Sequence, residues 1–348
     1  MRIRSFIIAS LIPRAVMAGP SPCEIVQAPA KFPIAATHSQ HSWRPVNSGI
    51  KPSGFVGLGS STPVVHGIDV SKYQDSADFG RAFKCGARFA YVRLSGGINL
   101  DNELMYRVHW ANARASGLMV GPYHNLSPTL AADINSKENV LATATSGSET
   151  GLALESVARA NAEMQAENFL SRLHEVLSLD PRPDRISGRS QPSFLPIVLD
   201  LSADPVPNVT LAKKQSYGHI YGLMACTWID RVARSGYPRS KVVLFVSAHI
   251  YKEYSLANAP CDLSSLPIWI YHRPLDGSGL GNAKNFAEVN DLRALCSTKN
   301  GTNRCLFDQY TSYGGFAAFA VSAPLDLDRF HGTETALKSW LQTEGAEK

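Results

Sequence analysis

Pro196-Ile197-Val198-Leu199-Asp200-Leu201-Ser202 is an apolar run that ends in an acid, a spacer and a hydroxyl. Such a run reads as a buried strand that opens to solvent at its end. Side chains two apart on a strand point the same way, so Asp200 and Ser202 are expected to share a face. Two carboxylates so placed would form a pair for acid catalysis on a sugar. Here the second is a serine, so the run speaks to the fold more directly than to an activity.

Outward from this run, short apolar segments alternate with helical patterns. Strands are predicted at 65–70, 89–94, 118–124, 195–201, 242–247, 268–271, 306–310 and 316–321. Helices are predicted at 77–85, 103–116, 160–177 and 211–234, three of them stopped by Gly86, Gly117 and Gly236. Strand–helix alternation favours a parallel sheet with helices outside it. About eight strands suit a TIM-like (β/α) barrel in the α/β class, with room for irregularity and for surface insertions. Doubly wound folds alternate in the same way. Residues 130–156 and 180–192 break the rhythm and read as insertions, the first largely disordered.

The 348 residues suffice for one large barrel or two medium domains, and 44% are hydrophobic, enough for a real core. Net charge is +5, with Arg2, Arg4 and Arg14 in the first 18 residues; without them it is +2. That balance does not argue for nucleic acid and is compatible with an anionic wall polymer. Residues 1–18 resemble an export signal with small residues before a cut after Ala18. Residues 19–63 read as a disordered linker, 64–335 as the barrel and 336–348 as a C-terminal tail. No later run has the apolar length of a membrane span. Six cysteines are present, and Cys296 and Cys305 bracket a polar loop suited to a disulfide in an oxidising compartment. A metal site is not expected, because CxxC and HxxxH spacings are missing. Nor is there a GxSxG elbow, P-loop, complete GxGxxG or HExxH, so no cofactor is expected.

Polar residues collect at the predicted strand ends: Asp69, then Arg93 and Ser95, Tyr123 and His124, Asp200 and Ser202, Trp269 and Tyr271, Gln309 and Tyr310, and Asp326. In a barrel those ends converge on one mouth. Aromatic rings beside carboxylates suit a sugar site. Several residues also have plain structural readings. Asp69 and Asp326 are of helix- and turn-capping type. Trp269 and Tyr271 could be core aromatics, and His124 a structural histidine. Arg93 is expected to hold a buried carboxylate, with Asp200 the favoured partner.

The blocks resemble glycoside hydrolase family 25, the muramidase-type lysozymes. The resemblance rests on Gly67-Ile68-Asp69-Val70-Ser71 with Gln74, on Phe89-Ala90-Tyr91-Val92-Arg93 followed by Gly97 and Asp101, and on Gly117-Leu118 through Gly121-Pro122-Tyr123-His124. It continues through Gln165, Ala166 and Phe169, residues 196–202, Gln309-Tyr310-Thr311-Ser312, and Asp326-Leu327-Asp328 with Phe330. It implies Asp69, Asp200 and Asp326 as catalytic-site acids, and Arg93, Tyr123, Trp269, Tyr271 and Gln309 as substrate contacts. It also implies a secreted or periplasmic monomer acting on peptidoglycan or a related amino-sugar glycan. The family's proton donor is a Glu two residues after the Asp of the fourth strand, and Ser202 stands there. A serine hydroxyl is too weak an acid for that task. Asp204 and Glu155 are the candidate replacements in sequence. A glycan-binding protein that kept the barrel without turnover is the alternative, and a barrel hydrolase of another glycan a third.

Overall fold

A computed structural model of the chain describes residues 24–25, 41–42, 63–74, 77–98, 103–128, 149–179, 193–202, 210–271, 294–297, 303–314 and 325–343. Eight strands form the centre: β1 (Val64–Val70), β2 (Ala87–Gly96), β3 (Met119–Asn125), β4 (Ile197–Asp200), β5 (Val242–Val246), β6 (Ile268–Tyr271), β7 (Cys305–Gly314) and β8 (Leu325–His331). Each pairs with the next, and β8 returns to β1, closing the barrel. Strands β1 to β7 run parallel.

Strand β8 runs antiparallel to both neighbours, so the expected parallel sheet has one reversed stave. The stave is Leu325–His331; the strand predicted at 316–321 lies outside the described residues. A parallel crossover needs a dozen or more residues. The link between Gly314 and Leu325 is shorter, and the chain turns back on itself.

The barrel strands serve two cores, which is why residues 196–199 are apolar on both faces. Val65, Phe89, Tyr91, Met119, Val198, Val243, Trp269, Phe307 and Phe330 fill the interior. Ile68, Val92, Val120, Leu199, Leu244 and Ile270 face the outer helices. Ring packing inside requires two glycines. A Cβ on Gly67 would lie 2.2 Å from the Phe89 ring, and one on Gly121 2.2 Å from the Tyr91 ring.

Outside lie α1 (Phe79–Lys84), α2 (Tyr106–Ala115), α3 (Glu149–Ser178) and α4 (Leu211–Arg234), then α5 (Ala248–Glu253) and α6 (Glu334–Lys338). Helix α3 begins well before the predicted residue 160, so residues 149–156 belong to it and not to an insertion. Its buried stripe Leu154, Ala158, Ala162 and Ala166 keeps a four-residue step, the spacing of one helix face. The rest of that predicted insertion and the segment 180–192 lie outside the described residues.

The segment expected as a tail is partly built in. Leu337 is fully buried against the interior cluster, and Gln342–Thr343 pair with Ser193–Phe194. Of the expected linker, Glu24–Ile25, His41–Ser42 and Pro63 are described, the first two paired antiparallel.

The expected Cys296–Cys305 disulfide is present. A second, Cys226–Cys261, ties α4 to the segment after α5 across 35 residues. By loop-closure entropy such a bridge is worth roughly 3–4 kcal/mol. A Cys226→Ala/Cys261→Ala variant is therefore expected to lose stability on that order in urea unfolding, and a loss under 1 kcal/mol would contradict the assignment.

Candidate active site at the barrel mouth

The strand alternation that builds the interior also builds the mouth. One layer above the Tyr91–Trp269–Phe307 rings, the inward-facing positions carry Asp69, Arg93, Tyr123, Asn125, Asp200, Tyr271, Gln309 and Asp326. Asp69 and Asp326 face each other across the β1–β8 register. Asp69 is 6% exposed, as is Asp200, and Asp326 is half-buried.

Asp69 is held on both oxygens. The Tyr123 hydroxyl donates to Oδ1 at 3.1 Å, and Gln309 Nε2 donates to Oδ2 at 2.9 Å. Burial nonetheless pushes its carboxyl up to about 6, with the charge of Asp200 adding to the rise and the two hydrogen bonds opposing it. Asp200 is also held on both oxygens. The Ser202 backbone N–H donates to Oδ1 and Asn125 Nδ2 to Oδ2, each at 2.7 Å. Burial raises this carboxyl too, against the hydrogen bonds from Ser202 and Asn125. Ser202 therefore binds Asp200, and its own carbonyl accepts the Tyr271 hydroxyl at 3.2 Å. Asp204 lies outside the described residues. Glu155 sits on α3, where it meets His219 of α4 at 3.0 Å.

Arg93 does not pair with Asp200 as expected. Its Nε donates to Glu103, whose other oxygen accepts the Lys72 N–H at 2.9 Å. Asp200 feels the guanidinium only as a nearby charge. Trp269 also differs from its expected role as a substrate contact. It is 2% exposed, with its ring 4.7 Å from Tyr91 and 5.1 Å from Phe245, so it forms the floor beneath the mouth. Tyr271 lies at the mouth, stacked on Phe245 at 5.0 Å.

Asn125 and Glu103 are not among the residues that the sequence marks, and Asp328, part of the closing block, carries no site role there. Asn125 stands two residues after Tyr123 on the same strand face, a signal that was there to use. Asp328 has the same parity as Asp326 and is completely buried below it. Glu103 lies in the segment before α2, where nothing in the sequence marks it.

His124 points the other way, out of the barrel. Its Nδ1 meets Ser95 Oγ at 2.8 Å and its Nε2 meets Gln165 Oε1 at 3.0 Å, with the ring stacked on Trp228. The Gln165 oxygen only accepts, which assigns the ring proton to Nε2. Burial, with Gln165 opposing, lowers this imidazole from 6.5 to about 4. Its neutral form thus stabilises the fold fully above pH 6.5, and that stability is lost as pH falls toward 4. Ring chemical shifts in an NMR titration are expected to stay those of neutral imidazole down to about pH 4. Protonation near pH 6.5 would contradict this placement.

Residues 68–173 match the model for glycosyl hydrolases family 25. The family 25 match runs from β1 into α3, taking in Asp69, Arg93 and Tyr123; Asp200, Ser202, Gln309 and Asp326 lie beyond it. Among curated proteins, the uncharacterized protein YegX of Escherichia coli O157:H7 is 36% identical over 78 residues, 21% of this chain and 28% of that protein. The strain K12 protein of the same name is 35% identical over 78 residues, with the same coverage. The chain thus matches little more than a quarter of the length of these relatives. Similar solved structures include a bacterial lysozyme from Streptomyces coelicolor, at 19% identity and TM-score 0.46, covering 79% of this chain and 96% of that one. A family GH25 lysozyme from Aspergillus fumigatus has 16% identity and TM-score 0.47, covering 80% and 98%.

Proposed function

We propose that this protein is a peptidoglycan-directed glycoside hydrolase of the lysozyme (N-acetylmuramidase) type. The observation that carries the reading is the convergence of Asp69, Asp200 and Asp326 on one barrel mouth, in a chain whose residues 68–173 match family 25. A buried carboxylate held by two N–H donors, as Asp200 is, can oppose the positive charge that develops at the anomeric carbon. Equally, it can orient the acetamido group of an amino sugar. Tyr123 and Gln309 fix Asp69, and Tyr271 offers a ring edge to the glycan. Two described disulfides suit an oxidising compartment, which supports action outside the cytoplasm, secreted or periplasmic. Among the described residues no helix is long and apolar enough to cross a membrane.

A second reading, a glycan-binding protein without turnover, draws on one specific observation: Ser202 stands where the resemblance implies an acid. Incubation with purified sacculi separates the two. The hydrolase releases soluble muropeptides with N-acetylmuramic acid at the reducing end. Binding to sacculi without release over pH 4–8 would reject it in favour of the second reading.

A further inference from the structure

Among the described residues, the mouth gathers more carboxyl groups than cations. Asp69, Asp200, Asp326 and Asp328 line it or lie just beneath. The described cation facing them is Arg93, already bound to Glu103. Among the other groups packed against them, Tyr91, Tyr123 and Tyr271 carry no charge while protonated, and Gln309 is neutral. Carboxylates sharing a water-poor site cannot all stay charged, so protons are retained there.

Geometry indicates where. Asp328 is 0% exposed, and beyond the facing Trp269 indole its two oxygens meet no hydrogen-bond donor among the described residues. Burial, then the charges of Asp69, Asp326 and Asp308, holds it protonated, with the facing Trp269 indole the opposing influence. It lies too deep to meet a glycan. Asp200 is bound through Oδ1 to a backbone N–H, which can only donate. That oxygen must accept, which favours the anion. Asp69 differs. Its Oδ1 partner is a phenol, which can donate or accept, and burial keeps that phenol protonated well above its ordinary range. Asp69 also stands directly opposite Asp326, where like charges disfavour each other. Of the two, Asp69 is the more buried and the better placed to keep a proton.

We propose that Asp69 is the proton donor of this mouth, doing the work that Ser202 cannot. The assignment rests on the hydrolase reading above. In the step, the Asp69 proton passes to the glycosidic oxygen as the bond from that oxygen to the anomeric carbon breaks, and the bond's electron pair leaves with the oxygen. Anionic Asp200 faces the resulting oxocarbenium-like carbon. A water then adds to that carbon and returns its proton to Asp69, completing the cycle.

The test compares wild type, Asp69→Asn and Asp69→Glu on sacculi and on a nitrophenyl glycoside of the same amino sugar. A nitrophenolate departs without protonation. Asp69→Asn is expected to lower muropeptide release about 10²–10⁴-fold while keeping most of the kcat/KM on the nitrophenyl glycoside, which reports only steps up to cleavage of the bond. Wild-type kcat is expected to fall above about pH 6, and Asp69→Glu to restore part of the release. Equal loss on both substrates would make Asp69 a positioning residue and overturn the proposal, as would unchanged release by Asp69→Asn. Wild type that binds sacculi and cleaves neither substrate at any pH would reject the hydrolase reading itself, and this assignment with it.

Discussion

Asp200→Asn is expected to cut muropeptide release about 10²–10³-fold while leaving the protein at least as stable as wild type. The two halves of this expectation have one cause. Burial raises the Asp200 carboxyl above its ordinary range, so at neutral pH the folded chain holds a charge it would rather not hold. A group whose folded pKa is raised costs stability at pH values above that pKa, and a neutral isostere removes the cost. Asn keeps an oxygen for the Ser202 N–H, and the Asn125 amide can rotate to accept from the new NH₂. What cannot be replaced is the negative charge facing a developing cation. Muropeptide chromatography and the thermal midpoint, measured on the same preparation, check both halves. Lost release with a midpoint lowered by many degrees would mean that Asp200 is structural.

The same mouth shows how far the sequence could be read. Helix α4 and strand β6 coincide with their predicted limits, because continuous apolar patterning and clear stops marked them. Asp69, Tyr123, Asp200 and Gln309 come together as strand-end logic implies, since alternation along a strand is a local property. Two kinds of feature were out of reach. Strand β8 alternates Leu325, Leu327 and Arg329 outward with Asp326 and Asp328 inward, so its inner face carries acids and resembles a loop. Its reversed direction comes from a short link and not from any periodicity. The partner of Arg93 differs from the expected one for a related reason. Glu103 reaches it from a loop whose path is fixed by tertiary packing, while Asp200, the partner expected, is already satisfied by Ser202 and Asn125.

Arg329→Met is expected to destabilise the protein by about 3–5 kcal/mol at pH 7, the usual loss when one partner of a buried ion pair is removed. Asp308 on β7 is 0% exposed. Arg329 on β8 reaches it through Nε at 3.1 and 3.2 Å and through Nη2, and His331 Nε2 lies 2.8 Å from its Oδ1. Although burial pushes the other way, the Arg329 charge and then His331 hold the Asp308 carboxyl well below its ordinary range. Asp308 therefore contributes stability that is present above pH 4 and lost as pH falls further. Without Arg329 that sign reverses: a buried carboxylate is left short of charge, and the variant's deficit shrinks as acid protonates it. Asp308→Leu/Arg329→Met removes both charges and is expected to recover most of the loss. Urea unfolding at pH 7 and pH 4.5 measures all three, and a single-variant loss below 1 kcal/mol would show the pair to be solvated. The seam matters beyond stability. Asp308 precedes Gln309, which holds Asp69, and Arg329 shares β8 with Asp326. A pair buried on the outer face of β7 and β8 thus ties the strand of Gln309, which holds Asp69, to the strand that carries Asp326.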